Sequence, residues 1–258
     1  MPVLFIGHGS PMNAIRNNGF TQALGVWGAR LPRPTAILVV SAHWLTRGTT
    51  GVTMQAKPPT IHDFSGFPPA LHQMQYPAPG HPALAEAAMQ LMKTGKAAPS
   101  NDWGLDHGTW TVLHHLYPKA DVPVFQVSID YNQGGAYHLA VGRELAALRE
   151  QGVLIVGSGN IVHNLRATVR DAPDSVMAAR EWAQQFDDVA KAALAARDAQ
   201  ALAQYRDLHV SATMAVPTPD HYWPLLYAVG AAGAVAPTTV FEGFQGGTIS
   251  MRCLQFDA

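Results

Sequence analysis

Cysteine is almost absent from this 258-residue chain, which excludes two kinds of stabilisation. The single cysteine, Cys253, cannot form an internal disulfide, and one thiol provides no cysteine-based zinc motif. Because Cys253 lies in an apolar run near the end of the chain, we expect it to be a small buried hydrophobic residue. Any metal site in this protein must therefore use other ligands.

Charge and long hydrophobic runs are also scarce. Asp, Glu, Lys and Arg make up 14% of the chain, hydrophobic residues make up 48%, and the formal net charge is −1. This composition excludes a disordered polyelectrolyte, and the lack of a Lys/Arg cluster argues against a nucleic-acid partner. We find no signal peptide and no apolar run of about 18 residues, the length that spans a bilayer. We therefore expect a cytoplasmic protein with no membrane partner.

Apolar runs alternate with amphipathic segments, and this alternation predicts one α/β domain over residues 1–258. Strands are expected at residues 3–6, 36–41, 49–54, 122–128, 153–156, 238–241 and 248–256. Helices are expected at residues 20–31, 82–94, 108–117, 135–150, 175–197 and 199–205. A further helix should begin with Thr218 as its N-cap and Pro219 in its first turn. The predicted fold is a mostly parallel central sheet flanked by helices, with a C-terminal antiparallel hairpin.

Histidine is plentiful, with twelve residues in the chain. His8, His43 and His163 each follow a predicted strand, and His107 and His221 open predicted helices. Because the strand ends of a parallel sheet face the same crevice, these side chains can converge. Imidazole binds zinc, iron and copper. The pattern therefore indicates a histidine-rich metal site. The spacing of these histidines is not a local metal-binding motif, however, so a structural role for them stays open.

Other polar and aromatic residues allow both functional and structural interpretations. Asp63 and Asp106 either orient an imidazole through its second nitrogen or serve as an N-cap and a surface carboxylate. Loop 57–81, rich in proline and aromatic residues, is expected to form a wall or lid of the site. Within it, His62 either contacts substrate or, as we favour, lies on the surface. Four more histidines are expected to be solvated: His72, His81, His138 and His209. Three tryptophans are expected in the core: Trp44, Trp103 and Trp110.

Seven short motifs occur in an order that resembles one protein family. They are GHGSPM at residues 7–12, SAHW at 41–44, TIHDF at 60–64, YPAPG at 76–80, DHG at 106–108, GNIVHNL at 159–165 and PDHYWPLL at 219–226. By these motifs the chain resembles the 4,5-DOPA dioxygenase extradiol family, one of the class III extradiol ring-cleavage dioxygenases. The resemblance implies an enzyme that inserts O₂ into a catechol beside its two hydroxyl groups. Its substrate would be a DOPA-like compound or another catecholic acid.

The resemblance also implies residue roles. His8 and His43 match the family's two N-terminal metal histidines, and His221 matches its C-terminal metal position. His163 matches a histidine described either as a further metal ligand or as the acid–base residue beside the metal. His107 matches the active-site histidine expected to touch substrate. The implied cofactor is Fe(II), and Zn is a possible bound metal, because a neutral His221 makes the ligand set similar to a catalytic zinc site.

Three other functions stay open at this point. A zinc-dependent hydrolase would use the same histidines to hold a metal-bound hydroxide and would need no O₂. A metal-tetrapyrrole chelatase also begins with a strand followed by His-Gly-Ser, but it leaves the other six motifs unexplained. A non-catalytic metal-binding protein would not need His107. We expect loop 57–81 and the region near Trp110 to contact the substrate side chain, and the candidate carboxylate contacts are Arg16, Arg47 and Arg166.

Overall fold

The computed structural model describes residues 1–169 and 178–257, in which strands and helices alternate. The strands are β1 (Val3–Gly7), β2 (Ala36–Thr46), β3 (Thr50–Thr53), β4 (Ala97–Ser100), β5 (Val124–Asp130), β6 (Val153–Gly159), β7 (Thr238–Phe241), β8 (Phe244–Gln245), β9 (Ile249–Ser250) and β10 (Cys253–Phe256). The α-helices are α1 (Gly19–Arg30), α2 (Pro69–His72), α3 (Pro82–Leu91), α4 (His107–Leu116), α5 (Gly135–Leu145), α6 (Glu181–Ala195), α7 (Ala199–Ala203), α8 (Ala212–Ala215) and α9 (Trp223–Ala232). Three 3₁₀ segments lie at Pro11–Ala14, Ala146–Gln151 and Tyr205–Asp207.

Eight strands form one sheet in the order β4, β3, β5, β2, β6, β1, β10, β7. The four central strands, β5, β2, β6 and β1, run parallel. At one edge β10 pairs antiparallel with β1 and with β7, which forms the predicted C-terminal hairpin. At the other edge β3 is antiparallel to β5 and parallel to β4. The predicted fold class is therefore confirmed.

Helices cover both faces of this sheet, which explains why its central strands have continuous apolar sequences. In β1, Val3 and Phe5 face one hydrophobic core, and Leu4 and Ile6 face the other. Side chains of α1 and α4 fill the second core, and those of α3, α5, α6 and α9 fill the first. Cys253 is buried in the second core, as expected, and burial raises the pKa of its thiol to about 12.

The position predicted for His43 changes, because β2 is longer than its apolar run. The strand continues to Thr46, and its pairing with β5 shifts register between Val40 and Leu45. His43 therefore lies inside an irregular stretch of β2 rather than after it. Strand pairing depends on backbone hydrogen bonds, so the polar residues that follow Val40 do not end the strand.

The helix predicted to start at Thr218 was placed wrongly. Helix α9 begins at Trp223, with Pro224 in its first turn. The Trp223 amide N–H donates to the Pro219 carbonyl oxygen (2.9 Å), which closes a separate turn before the helix. His221 lies in that turn.

Several other boundaries also differ. The helix predicted at residues 175–197 begins at Glu181; residues 175–177 lie outside the described part of the chain. The strand predicted at 248–256 is divided into β9 and β10, and β4 was missed because its sequence, AAPS, has no apolar pattern. His138 was expected to be solvated, but it is fully buried and its Nδ1 lies 3.1 Å from the Tyr227 hydroxyl. In the ranges 1–169 and 178–257, we find no helix with the length and apolar character of a bilayer span.

Candidate active site

His8 is held at the carboxyl end of β1 by backbone geometry. Gly9, which follows it, has φ +62°, a conformation that favours glycine. The His8 amide N–H donates to the Gly159 carbonyl oxygen (3.1 Å), and the Asn13 side-chain amide donates to the His8 carbonyl oxygen (3.1 Å). His8 is consequently fixed between the ends of two neighbouring parallel strands.

His43 packs against the start of α4. Its ring lies over Gly108, where an added Cβ would meet His43 Cδ2 at 2.9 Å and Ser41 Oγ at 2.5 Å. Ser41 in turn donates to Asp106 Oδ1 (2.7 Å). A side chain at position 108 would therefore displace the imidazole, which gives the DHG motif a steric reason for its glycine.

Asp106 and Asp63 both act on the first residue of α4, His107. Asp106 is buried, caps the helix by accepting from the Thr109 amide N–H (3.1 Å), and also accepts from Gln126 Nε2 (2.7 Å). Asp63, from loop 57–81, accepts from the His107 amide N–H (2.9 Å) and from His107 Nδ1 (2.8 Å). Of the two carboxylates, Asp63 contacts the imidazole directly and Asp106 holds the backbone that carries it.

His163 and His221 stack face to face. Their ring centroids are 3.5 Å apart and their planes differ by 3°. The His221 carbonyl oxygen accepts from the Asn160 amide N–H (2.7 Å), just after β6, and an added Cβ on Gly159 would meet that oxygen at 2.2 Å. The close approach of this turn to β6 thus depends on a glycine, and it brings the two rings together although 58 positions separate them.

These five imidazoles form one cluster. The ligating nitrogens of His8, His43 and His107 all lie within 4.8 Å of one another, and the Nε2 atoms of His8 and His43 are 3.1 Å apart. The His221 ring centroid lies 5.0 Å from that of His43 and 5.4 Å from that of His8. Two nitrogen ligands at right angles on one metal, each about 2.1 Å from it, would be about 3 Å apart. The residues therefore fit a metal ion.

Hydrogen bonds determine which nitrogen of each ring faces the cluster. The Ser158 hydroxyl donates to the Gly108 carbonyl oxygen (2.5 Å), so its oxygen accepts from His8 Nδ1 (3.0 Å). His221 Nδ1 lies 2.5 Å from the Asp220 carboxylate, and His107 Nδ1 is bound by Asp63. Each of these rings carries its proton on Nδ1, which leaves the Nε2 lone pair available for a ligand bond.

Burial keeps three of the five imidazoles, those of His8, His43 and His163, uncharged. Desolvation, followed by repulsion from neighbouring imidazoles, lowers the pKa of His8 and His43 well below the ordinary value. Desolvation is also the main reason that the pKa of His163 falls to about 2. Burial would raise the pKa of Asp63, but hydrogen bonds and charge from His107 outweigh it and lower that pKa. At neutral pH these three rings thus present neutral nitrogen donors, and the Asp63 carboxylate beside the cluster is charged.

The cluster forms the floor of a cavity of about 760 Å³, a size typical of small-molecule sites. Residues 64–67 of loop 57–81 form one wall, as predicted for part of that loop. Phe64 also packs edge-on against the His107 ring, with centroids 5.5 Å apart. Other lining side chains include Met12, Leu165, Val169 and Ile249. The cavity therefore has apolar and polar side chains in its walls, above a floor of imidazoles.

The other residues considered for substrate contact lie in different surroundings. Arg16 lines the cavity, whereas Arg47 stacks on the Tyr131 ring and Arg166 is exposed away from it. His62 is half-buried rather than on the surface, and its Nε2 donates to the Met74 carbonyl oxygen (2.9 Å).

Of the three tryptophans, Trp44 and Trp110 are buried and Trp103, which stacks on Trp44, is half-buried. None of the three is among the described residues that line the cavity.

Sequence reasoning missed two supporting residues. Ser158 binds His8 across 150 positions, so no local pattern could connect them. Asp220, which binds His221, is its immediate neighbour in the sequence, and that adjacency was a usable signal.

Known proteins match this chain over nearly its whole length. Residues 3–248 match the family described as "Catalytic LigB subunit of aromatic ring-opening dioxygenase". The chain is 48% identical over 260 residues to a protein of Escherichia coli K12 named "4,5-DOPA dioxygenase extradiol", covering 99% of this chain and 94% of that protein. It is 36% identical over 259 residues to a protein of the same name from Beta vulgaris, covering 98% and 95%.

A solved structure shares the fold of this chain. The chain is similar to the crystal structure of an uncharacterized protein from Escherichia coli K12, with a TM-score of 0.85, 41% identity and complete coverage of both chains. The family match extends from β1 to the residue before β9, and it includes all five histidines of the cluster. The chain therefore belongs to the family of the catalytic LigB subunit of aromatic ring-opening dioxygenases.

Proposed function

We propose that this protein is an extradiol dioxygenase that inserts O₂ into a catechol, beside the two hydroxyl groups, at a non-haem metal held by histidines. The observation that carries the proposal is the cluster of five imidazoles on the floor of a cavity whose walls include Phe64 and Phe67, in a chain of this family. By analogy with relatives named 4,5-DOPA dioxygenase, we propose a DOPA-like catechol or another catecholic acid as substrate. One catalytic domain over residues 1–258 and a cytoplasmic location complete the proposal.

We propose His8, His43 and His221 as the metal ligands, with His163 at or next to the metal. The short separation of His8 and His43 Nε2 supports the first two. His107 also has a ring nitrogen within 4.8 Å of that pair, so His107 and His221 compete for the third position. His221 is supported by Asp220, since a carboxylate on the far nitrogen orients a ligating imidazole and raises its basicity. His107 then contacts the substrate.

Fe(II) is the proposed catalytic metal. When bound, such an ion lowers the pKa of a coordinated hydroxyl and so favours the catecholate. His163 is positioned for proton transfer with the substrate, because its ring lines the cavity and has no hydrogen bond to any residue of the described part of the chain. His107 also lines the cavity, and since its Nδ1 is bonded to Asp63, its Nε2 can accept a second proton. Phe64 and Phe67 cover the ring of a bound catechol and exclude water.

Anaerobic reconstitution with Fe(II) tests this function. The loaded protein is mixed with a panel of catechols that includes DOPA, and O₂ uptake and product absorbance are recorded. We expect O₂ consumption stoichiometric with loss of the catechol and a new yellow chromophore, neither of which a Zn-loaded control should give. Metal-loaded protein that consumes no O₂ with any catechol would contradict the proposal, and activity of the Zn-loaded form without O₂ would favour the hydrolase.

A further inference from the structure

The carboxylate of Asp63 contacts two of the clustered histidines at once. Its Oδ1 accepts from the His107 amide N–H (2.9 Å), and its Oδ2 accepts from His107 Nδ1 (2.8 Å). The same Oδ2 lies 3.6 Å from Nδ1 of His43. The rings of His43 and His107 are only 3.8 Å apart, so one oxygen faces the outer nitrogen of both. The other clustered rings lack this sharing: His8 has a neutral partner, Ser158, and His221 has its own carboxylate.

Hydrogen bonds to the backbone just before Asp63 hold this residue in place. The Ile61 amide N–H donates to the Leu105 carbonyl oxygen (2.9 Å), and the Leu105 amide N–H donates to the Pro59 carbonyl oxygen (2.8 Å). The Trp110 indole N–H donates to the Ile61 carbonyl oxygen (2.9 Å). These bonds join the start of loop 57–81 to the segment that enters α4 and to α4 itself. The carboxylate is therefore presented by a docked segment, and its own side chain is 15% exposed.

We propose that Asp63 is a positioning residue that fixes the tautomer and orientation of His107 and, through its shared oxygen, the orientation of His43. The loop that walls the substrate side of the cavity is thereby connected to the metal side. The inference rests on the proposed function only for its consequence in catalysis. In the structure itself, loss of the Asp63 carboxylate should loosen two imidazoles, that of His43 on β2 and that of His107 on α4.

The test compares Asp63→Ala and Asp63→Asn with wild type, and Asp121→Asn serves as the control. Asp121 is an exposed carboxylate paired with Arg33, and it lies just before the start of β5, whereas the cluster lies beyond the carboxyl ends of β1 and β6. Long-range ¹H–¹⁵N spectra of the metal-free and Zn-loaded proteins report the histidine tautomers, and competition titration gives the Zn²⁺ affinity. We expect Asp63→Ala to lose the Nδ1–H tautomer of His107 and to lower Zn²⁺ affinity by about 10- to 100-fold. Asp121→Asn should match wild type in both measurements.

Asp63→Asn decides the question if the alanine variant fails to fold. Its side chain has the same shape but only one oxygen acceptor, so it cannot accept from both N–H groups of His107. We expect mixed His107 tautomers and a smaller loss of Zn²⁺ affinity. An unchanged His107 tautomer together with wild-type Zn²⁺ affinity would overturn the inference. If the wild-type protein cleaves no catechol but the Asp63 variants show these changes, the proposed function is rejected and this inference is supported. The two outcomes can be distinguished because neither measurement uses a catechol.

Discussion

Two of the buried polar clusters in the described part of the chain differ in how their hydrogen-bonding groups are paired. In the first, around Arg252, each guanidinium nitrogen has an acceptor: Nε donates to Asp187 (3.1 Å), Nη2 donates to Asp187, and Nη1 donates to Glu242 (2.8 Å). Ser250 Oγ also donates to Asp187 (2.7 Å). In the second, the imidazole cluster, the outer nitrogens of His8, His107 and His221 are bonded while their inner nitrogens face a cavity.

The pKa directions show the same contrast. Burial would lower the pKa of Arg252, but bonds and charge from Asp187 and Glu242 outweigh it and raise that pKa. Burial lowers the pKa of His8, and the neighbouring imidazoles lower it further. Positive charge is already neutralised in the first cluster, whereas the second holds lone pairs that a cation could bind. A closed cluster of paired charges stabilises a fold, and an open cluster of lone pairs provides a site.

The largest effects are expected from removing one imidazole at a time from the open cluster. His221→Ala should lose the metal and all turnover. His163→Ala should keep most of the metal while turnover falls by about 10²- to 10⁴-fold, the usual contribution of an acid–base residue. Metal content by elemental analysis and O₂ uptake measure the two effects. His107→Ala is the matched control for the third ligand: if it loses the metal and His221→Ala retains it, the ligand assignment is wrong.

Disrupting the closed cluster around Arg252 should lower the stability of the fold and leave metal binding unchanged. Arg252→Met leaves Asp187 buried without its partner, which should cost about 3–5 kcal/mol of unfolding free energy in urea denaturation. Zinc binding by the folded fraction should not change. As a control, Lys191→Met removes only the exposed ion pair with Glu242 and should cost less than about 1 kcal/mol.

Replacing both members of the buried pair sharpens this test. Arg252→Met combined with Asp187→Leu removes both charges, so it should recover much of the stability lost in the single variant. A double variant less stable than Arg252→Met would show that the pair contributes more than charge compensation.

The smallest expected effect concerns a buried histidine outside both clusters. His138 packs on Trp223, and burial lowers its pKa to about 4. In the unfolded chain it binds a proton near pH 6.5, so stability should fall as the pH drops from 6.5 toward 4. Between pH 7.5 and 4.5 wild type should lose about 2–3 kcal/mol more unfolding free energy than His138→Gln. Parallel curves for the two proteins would contradict this assignment.

The sequence alone determined most of the fold. Apolar runs without alternation identified the central parallel strands, and a His-rich set of motifs identified the five histidines that meet in the cavity. These signals are local, because backbone pairing and imidazole chemistry depend on residue type and short-range order. Exceptions occurred where local signals were weak or ambiguous, as in the proline-containing β4 and at Thr218, which has the composition of an N-cap but lies in the turn before α9.

Only the tertiary structure decided how the site is supported. His8 pairs with Ser158, and His107 pairs with Asp63. The members of each pair are far apart in the chain, so no local sequence pattern predicts that they meet. The same holds for His138, which was expected to be solvated on a predicted helix although α9 buries it. A sequence specifies which donors and acceptors exist, but burial and packing decide which of them meet and which nitrogen of each imidazole stays free.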